Sequence, residues 1–291
     1  MFTGVYTALI TPFHRNQIDE EALQQLINYQ CMHDIDGIVV CGSTGEFFTL
    51  SESEQDLIVK IAVDEAKGRM PILVGVGHFT TEHTIRLALQ AQNNGAAGLL
   101  VVTPPYIKPS GSALLAHYIA LHDHTTLPII LYDNPGRGSI VIPDAIVIAL
   151  SKLPRIVGLK DASGNLTRPS ILATQLPTDF SLLSGDDITT LAFMAQGGHG
   201  VISTSANVAP HLIKQQITAW QQGNLQQAAV LRNQLLPLHQ AMYCEPSPAA
   251  IKYACSKLGL CRDKVRLPLQ SLSLQNRPLI DNILNTLQLM P

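Results

Sequence analysis

The chain has 291 residues, a formal net charge of -3, and 46% hydrophobic against 14% charged residues. That balance excludes a disordered chain, which is poorer in apolar residues and carries a larger net charge. With Lys+Arg 19 against Asp+Glu 22, the basic excess of a nucleic-acid binder is also missing. Along the chain, short apolar runs alternate with helix-like stretches. Val5–Ile10 precedes a helix over Asp19–His33, where Leu23, Leu26 and Ile27 repeat at helical spacing. Gly37–Cys41 precedes a helix opened by the capping-box pair Ser51 and Glu54 and running to about Lys67. Ile72–Gly75 precedes Thr80–Asn93, which stops at Asn94-Gly95. Gly98–Val102 and Ser110–Thr125 follow, then Pro128–Tyr132 and Pro143–Lys152. Ile156–Lys160 is paired with Thr167–Leu176, and Phe180–Ser184 with Thr189–Gln196. Gly200–Ser203 is the last run of this kind. From about Pro210 the pattern is helical only, over His211–Gln222, Asn224–Met242, Ser247–Leu258 and a segment near Arg277–Leu289.

Near-continuous apolar strands indicate a parallel sheet covered on both faces. Eight such runs predict a (β/α)8 TIM barrel with a C-terminal helical extension. An open nucleotide-binding sheet is disfavoured, because Thr11-Pro12-Phe13-His14 follows the first strand in place of a glycine-rich phosphate turn. The barrel is assigned to residues 1–223 and the extension, packed on it, to 224–291. No stretch approaches the ~20 apolar residues of a membrane span. No basic region precedes Val5–Ile10, so no signal peptide is expected. The five cysteines have no CxxC spacing and read as reduced thiols in the cytoplasm.

In this fold the reactive groups stand at the C-terminal ends of strands. Lys160 closes Ile156-Val157-Gly158-Leu159 and points into the barrel mouth. Burial disfavours an ammonium, and a neutral amine can attack a carbonyl to form an imine. Pairing of Lys160 with the adjacent Asp161 is the plain alternative. Tyr132, one strand earlier, stands at the same height and can shuttle protons, or can be a rim aromatic capping a loop. The Gly42-Ser43-Thr44-Gly45 turn can cradle a carboxylate or be an ordinary turn. Arg137 can hold a second carboxylate bidentately or stay solvated. His122 and His124 lie before the fifth strand, at the far face, with no third ligand evident, and no metal is expected. His199 reads as structural.

Together, Gly42-Ser-Thr-Gly-Glu46, Tyr132 with Pro135 and Arg137, and Gly158-Leu-Lys160-Asp161 resemble the pyruvate-dependent class I aldolases. This family takes in the dihydrodipicolinate synthases and N-acetylneuraminate lyases. Lys160-Asp-Ala-Ser-Gly-Asn-Leu-Thr-Arg168, Leu183-Ser-Gly-Asp-Asp187, Gly197-Gly-His-Gly-Val-Ile-Ser203 and Glu245-Pro-Ser-Pro248 extend the resemblance over the whole chain. It implies an imine between Lys160 and pyruvate. It implies a proton relay of Tyr132, Thr44 and Tyr106, with Tyr106 supplied by a neighbouring subunit. Ser43 and Thr44 would hold the pyruvate carboxylate, and Arg137 that of aspartate semialdehyde. The Ile202 carbonyl would lie near the imine, and Gly185 would line the pocket. No cofactor is implied, and self-association as a homotetramer, a dimer of dimers, is.

Arg137 and Tyr106 favour the synthase branch. Ser43-Thr44, Asp133-Asn134 and Gly138-Ser139 depart from its usual pattern and keep N-acetylneuraminate lyases and keto-sugar-acid aldolases or dehydratases in view, with a non-catalytic keto-acid-binding regulator as the alternative of another class. Lysine-inhibited members resemble one another in a polar pocket at a subunit interface. The matching positions here read Phe47, Glu52, Gln55, Phe79, His83 and Pro105, which implies weak or absent lysine feedback.

Overall fold

The computed structural model describes residues 1–138 and 140–290. Ser139, one of the departures named above, lies outside the described residues. Eight parallel strands close into a barrel. They are β1 (Gly4–Ala8), β2 (Gly37–Val40), β3 (Ile72–Val76), β4 (Gly98–Val102), β5 (Ile129–Asp133), β6 (Ile156–Asp161), β7 (Ser181–Ser184) and β8 (Gly200–Ser203). β1 closes the ring by pairing with both β2 and β8. Each strand is followed by a helix: α1 (Glu20–Met32), α2 (Glu52–Ala66), α3 (Thr81–Asn93), α4 (Gly111–His124), α5 (Asp144–Leu150), α6 (Arg168–Ala173), α7 (Thr190–Ala195) and α8 (Pro210–Gln221). The capping box at the start of α2 is present, with Ser51 and Glu54 each bonding the other's backbone N–H.

Two apolar layers result, because side chains alternate across each strand. The larger lies between sheet and helices. The smaller fills the barrel and includes Tyr6, Val39, Leu73, Leu100, Ile130 and Leu183. Three further helices follow the barrel: α9 (Leu225–Ala241), α10 (Ala249–Lys257) and α11 (Arg277–Thr286). The first seven residues of α10 are all buried, and Lys252 among them pairs with Glu46, which follows β2. A small antiparallel ribbon, Phe13–His14 with Gln17–Ile18, is an addition to the expected elements. Its turn residues Arg15 and Asn16 both have positive φ.

Candidate active site

Tyr132 and Lys160 are direct partners in the β5–β6 ladder. A register shift after Ile129 admits Val157 as an extra residue and brings these two opposite each other. Lys160 also stands opposite Leu183 of β7, whose side chain belongs to the barrel interior, as does that of Tyr132. Both Lys160 and Tyr132 are 6% exposed. The Lys160 ammonium lies 4.4 Å from the centre of the Tyr132 ring.

The Asn134 amide donates to the Tyr132 hydroxyl at 2.7 Å. Burial alone would push the phenol up. The Lys160 charge, hydrogen bonds with Asn134 and Ser43, and the Arg137 charge outweigh burial and hold it below its ordinary value. The phenol therefore gives up its proton more readily than a free tyrosine.

Adjacent strand residues face opposite ways, so Asp161 does not pair with Lys160. Asp161 and its ladder partner Asp133 point outward to Arg168, at 3.2 and 2.7 Å. Arg168 also reaches Asp144 at 2.7 Å and the Ile142 carbonyl at 2.6 Å. The Ile142 N–H returns to Asp133 at 3.0 Å. This network fastens both ends of the segment that carries Arg137. Burial pushes the Asp133 carboxyl up, more than Arg168 and the Ile142 N–H bring it down. The carboxylates around Arg168 outweigh its burial and hold it cationic. Asn134 and Arg168 are the site residues that sequence reasoning left without a role. Asn134 directly follows the strand, which is the one signal that could have singled it out.

After β2 the chain turns sharply through Gly42–Glu46, with Cys41 and Glu46 both left-handed at φ 53 and 56. The turn lies so close to β3 that a Cβ on Gly75 would meet the Cys41 carbonyl oxygen at 2.4 Å. Ser43 and Tyr132 line one cavity there, with Phe47, Val76 and Leu100. Thr44 is half-buried in the same turn. Arg137 is exposed, and its N–H donates to the Asn134 carbonyl at 3.0 Å. Gly185 seats on the end of β6, where a Cβ would come within 2.7 Å of the Ala162 side chain. Ile202 is buried in the barrel interior.

Tyr106 is not brought to this cavity by its own chain. It is 89% exposed, with φ +69, and the Ile107 N–H donates across it to the Pro105 carbonyl at 2.8 Å. Such a three-residue turn at positive φ is strained for a tyrosine.

Phe47, Glu52, Gln55, Phe79, His83 and Pro105 line one separate cleft of about 360 Å³. Glu52 there accepts a hydrogen bond from Arg86 at 3.0 Å, and a His83 ring nitrogen lies 3.0 Å from the same oxygen. His122 is bonded to Asp123 at 2.8 Å and His124 to the Ala120 carbonyl at 2.7 Å. Among the described residues, no three His, Cys, Asp or Glu side chains are grouped to hold a metal ion. His199 accepts the Leu182 N–H at 3.0 Å, a structural bond between β7 and the residue that leads into β8.

The profile of the Dihydrodipicolinate synthetase family matches residues 1–287. The 4-hydroxy-tetrahydrodipicolinate synthase of Rhodospirillum centenum is 45% identical over 92% of each chain. That of Magnetococcus marinus is 40% identical over 100% of this chain and 99% of its own. The dihydrodipicolinate synthase crystal structure from Aquifex aeolicus superposes with a TM-score of 0.97 at 36% identity, covering 99% of both chains. The Acinetobacter baumannii enzyme, solved in complex with pyruvate, superposes with a TM-score of 0.96 at 34% identity over 100% of both. By sequence over nearly its full length and by its barrel, this chain belongs to the dihydrodipicolinate synthetase family.

Proposed function

We propose that the chain condenses pyruvate with L-aspartate 4-semialdehyde to give 4-hydroxy-tetrahydrodipicolinate, in lysine and diaminopimelate biosynthesis. It is an enzyme of the class I aldolase type. The naming of full-length relatives at 40 and 45% identity supports the activity. The observation that carries the chemistry is the ladder pair Tyr132 and Lys160 at the barrel mouth, 4.4 Å from ring centre to ammonium.

The Lys160 amine attacks the pyruvate carbonyl and water leaves, giving an imine. Loss of a methyl proton turns the imine into an enamine, whose terminal carbon bonds to the aldehyde. The amine of the former semialdehyde then displaces Lys160 and closes the ring. Tyr132, with Thr44 and with Tyr106 of a neighbouring subunit, moves the protons. The exposure and strain of Tyr106 fit a residue that completes another subunit's site. That arrangement requires at least a dimer, and the family resemblance favours a homotetramer working in the cytoplasm. Ser43 and Thr44 receive the pyruvate carboxylate, Arg137 that of the semialdehyde, and Gly185 and the Ile202 carbonyl line the pocket. The cleft at Phe47 and Phe79 presents aromatic bulk and an already occupied Glu52, which supports weak or absent lysine feedback.

The test is turnover of pyruvate with aspartate semialdehyde beside a parallel reaction with N-acetylmannosamine. The semialdehyde alone is consumed, and Arg137→Ala raises its KM by about tenfold or more. Consumption of the sugar instead would move the assignment to the sialic-acid branch.

A further inference from the structure

Glu46 and Lys252 form an ion pair of 2.5 Å in which both side chains are 0% exposed. Nothing in the reaction uses either group. Glu46 is two residues past Thr44, in the left-handed position that ends the turn. Its N–H donates to the Ser43 carbonyl at 3.1 Å, and its own carbonyl accepts the Thr49 N–H at 2.8 Å. Lys252 lies in α10, a helix otherwise made of apolar and small residues where it is buried. A cation there is a local conflict with its surroundings, and such conflicts mark function more often than packing.

The Lys252 ammonium is held by more than its ion pair. Besides Glu46, it donates to the Lys264 carbonyl at 2.6 Å and lies 4.1 Å from the centre of the Phe13 ring. The second Glu46 oxygen accepts the Arg266 N–H at 3.0 Å. The Arg266 side chain donates to the Thr49 carbonyl at 3.0 Å and lies 4.3 Å from the centre of the Phe13 ring. Burial pulls the ammonium towards its neutral form while the Glu46 carboxylate opposes this. Glu46 is thus held from the C-terminal extension by an α10 side chain and by the strand of chain beyond it.

We propose that Lys252 and Glu46 are positioning residues, through which the C-terminal extension sets the Ser43–Thr44 turn for the pyruvate carboxylate. The proposal rests on that turn receiving pyruvate. A barrel can close without an extension, so the buried pair gives the extension a role in the reaction. A turn released from Glu46 keeps its hydroxyls but loses their fixed direction, which weakens pyruvate binding more than the later bond-making.

The experiment measures, for the full chain, steady-state kinetics and the pyruvate concentration giving half-maximal borohydride trapping of the imine. Lys252→Met and Glu46→Gln each raise the pyruvate KM by about tenfold, with kcat at saturating pyruvate and the semialdehyde KM changed by less than about threefold. The double variant Glu46→Gln with Lys252→Met leaves no unpaired buried charge. It carries the same readout should a single variant fail to fold. Half-saturation in it is raised by about threefold or more. A smaller shift, or parallel loss in kcat and in both KM values, overturns the positioning role. If the unmodified chain traps no pyruvate at all, the functional reading itself falls. Trapping that is normal in both the parent and the variants removes the clamp alone.

Discussion

Arg168→Met tests how the site is held together. Arg168 is 3% exposed and is the shared cation of Asp133 and Asp161, with ion pairs of 2.7 and 3.2 Å. Removing one partner of a buried pair leaves an uncompensated charge and costs roughly 3–5 kcal/mol. For a domain of this size that lowers Tm by roughly 10 °C. The loss must depend on pH, and its sign is fixed by Asp133. Burial already pushes that carboxyl up, and Arg168 is the main group that opposes the rise, with the Ile142 N–H. A carboxyl whose folded pKa lies above its unfolded value penalises the fold as pH rises through the folded pKa. Without Arg168 the folded pKa climbs further, so the variant is weakest at neutral pH and recovers part of its deficit as Asp133 takes up a proton. Adding Asp133→Asn recovers part of the deficit at neutral pH as well. The assay is urea or thermal unfolding of the parent, the single and the double variant at several pH values. A loss below about 1 kcal/mol, or one that does not shrink on acidification, refutes the reasoning.

Gly75→Ala directs a Cβ to within 2.4 Å of the Cys41 carbonyl oxygen, which is backbone and cannot swing aside. The Ser43–Thr44 turn must move, and the pyruvate KM rises by about tenfold or more while the fold survives; an unchanged KM contradicts the close packing. Burial holds the His117 imidazole down to about 4 from 6.5. Stability is lost as pH falls from 6.5 towards 4, because the unfolded chain takes up the proton first. At 1.36 kcal/mol per unit this amounts to about 3 kcal/mol, and unfolding curves of His117→Phe should lack that part of the acid loss. Lysine at millimolar concentration inhibits turnover weakly or not at all; strong cooperative inhibition would show that the cleft at Phe47 and Phe79 still receives it.

The barrel was legible because parallel strands are buried on both faces and read as unbroken apolar runs. All eight strands lie within about two residues of the expected bounds, the scatter usual for element ends. The ribbon at Phe13–Ile18 was not legible, since two-residue strands carry no periodicity. Lys160 and Tyr132 stood out because they end apolar runs that the fold aims at the mouth. Their direct opposition depends on the extra residue at Val157, which no run length reveals. Sequence adjacency left Lys160 and Asp161 open as a pair, and strand alternation separates them. Arg168 and Asp133 are 35 positions apart, and Glu46 and Lys252 lie in the barrel and in the extension. Such partners are chosen by tertiary packing, which local pattern does not encode.

Borohydride reduction in the presence of pyruvate, followed by peptide mapping, tests the central claim most directly. The account predicts one reduced pyruvate adduct, on the peptide containing Lys160, and none in Lys160→Ala. An adduct on another lysine, or trapping that survives in Lys160→Ala, would contradict it.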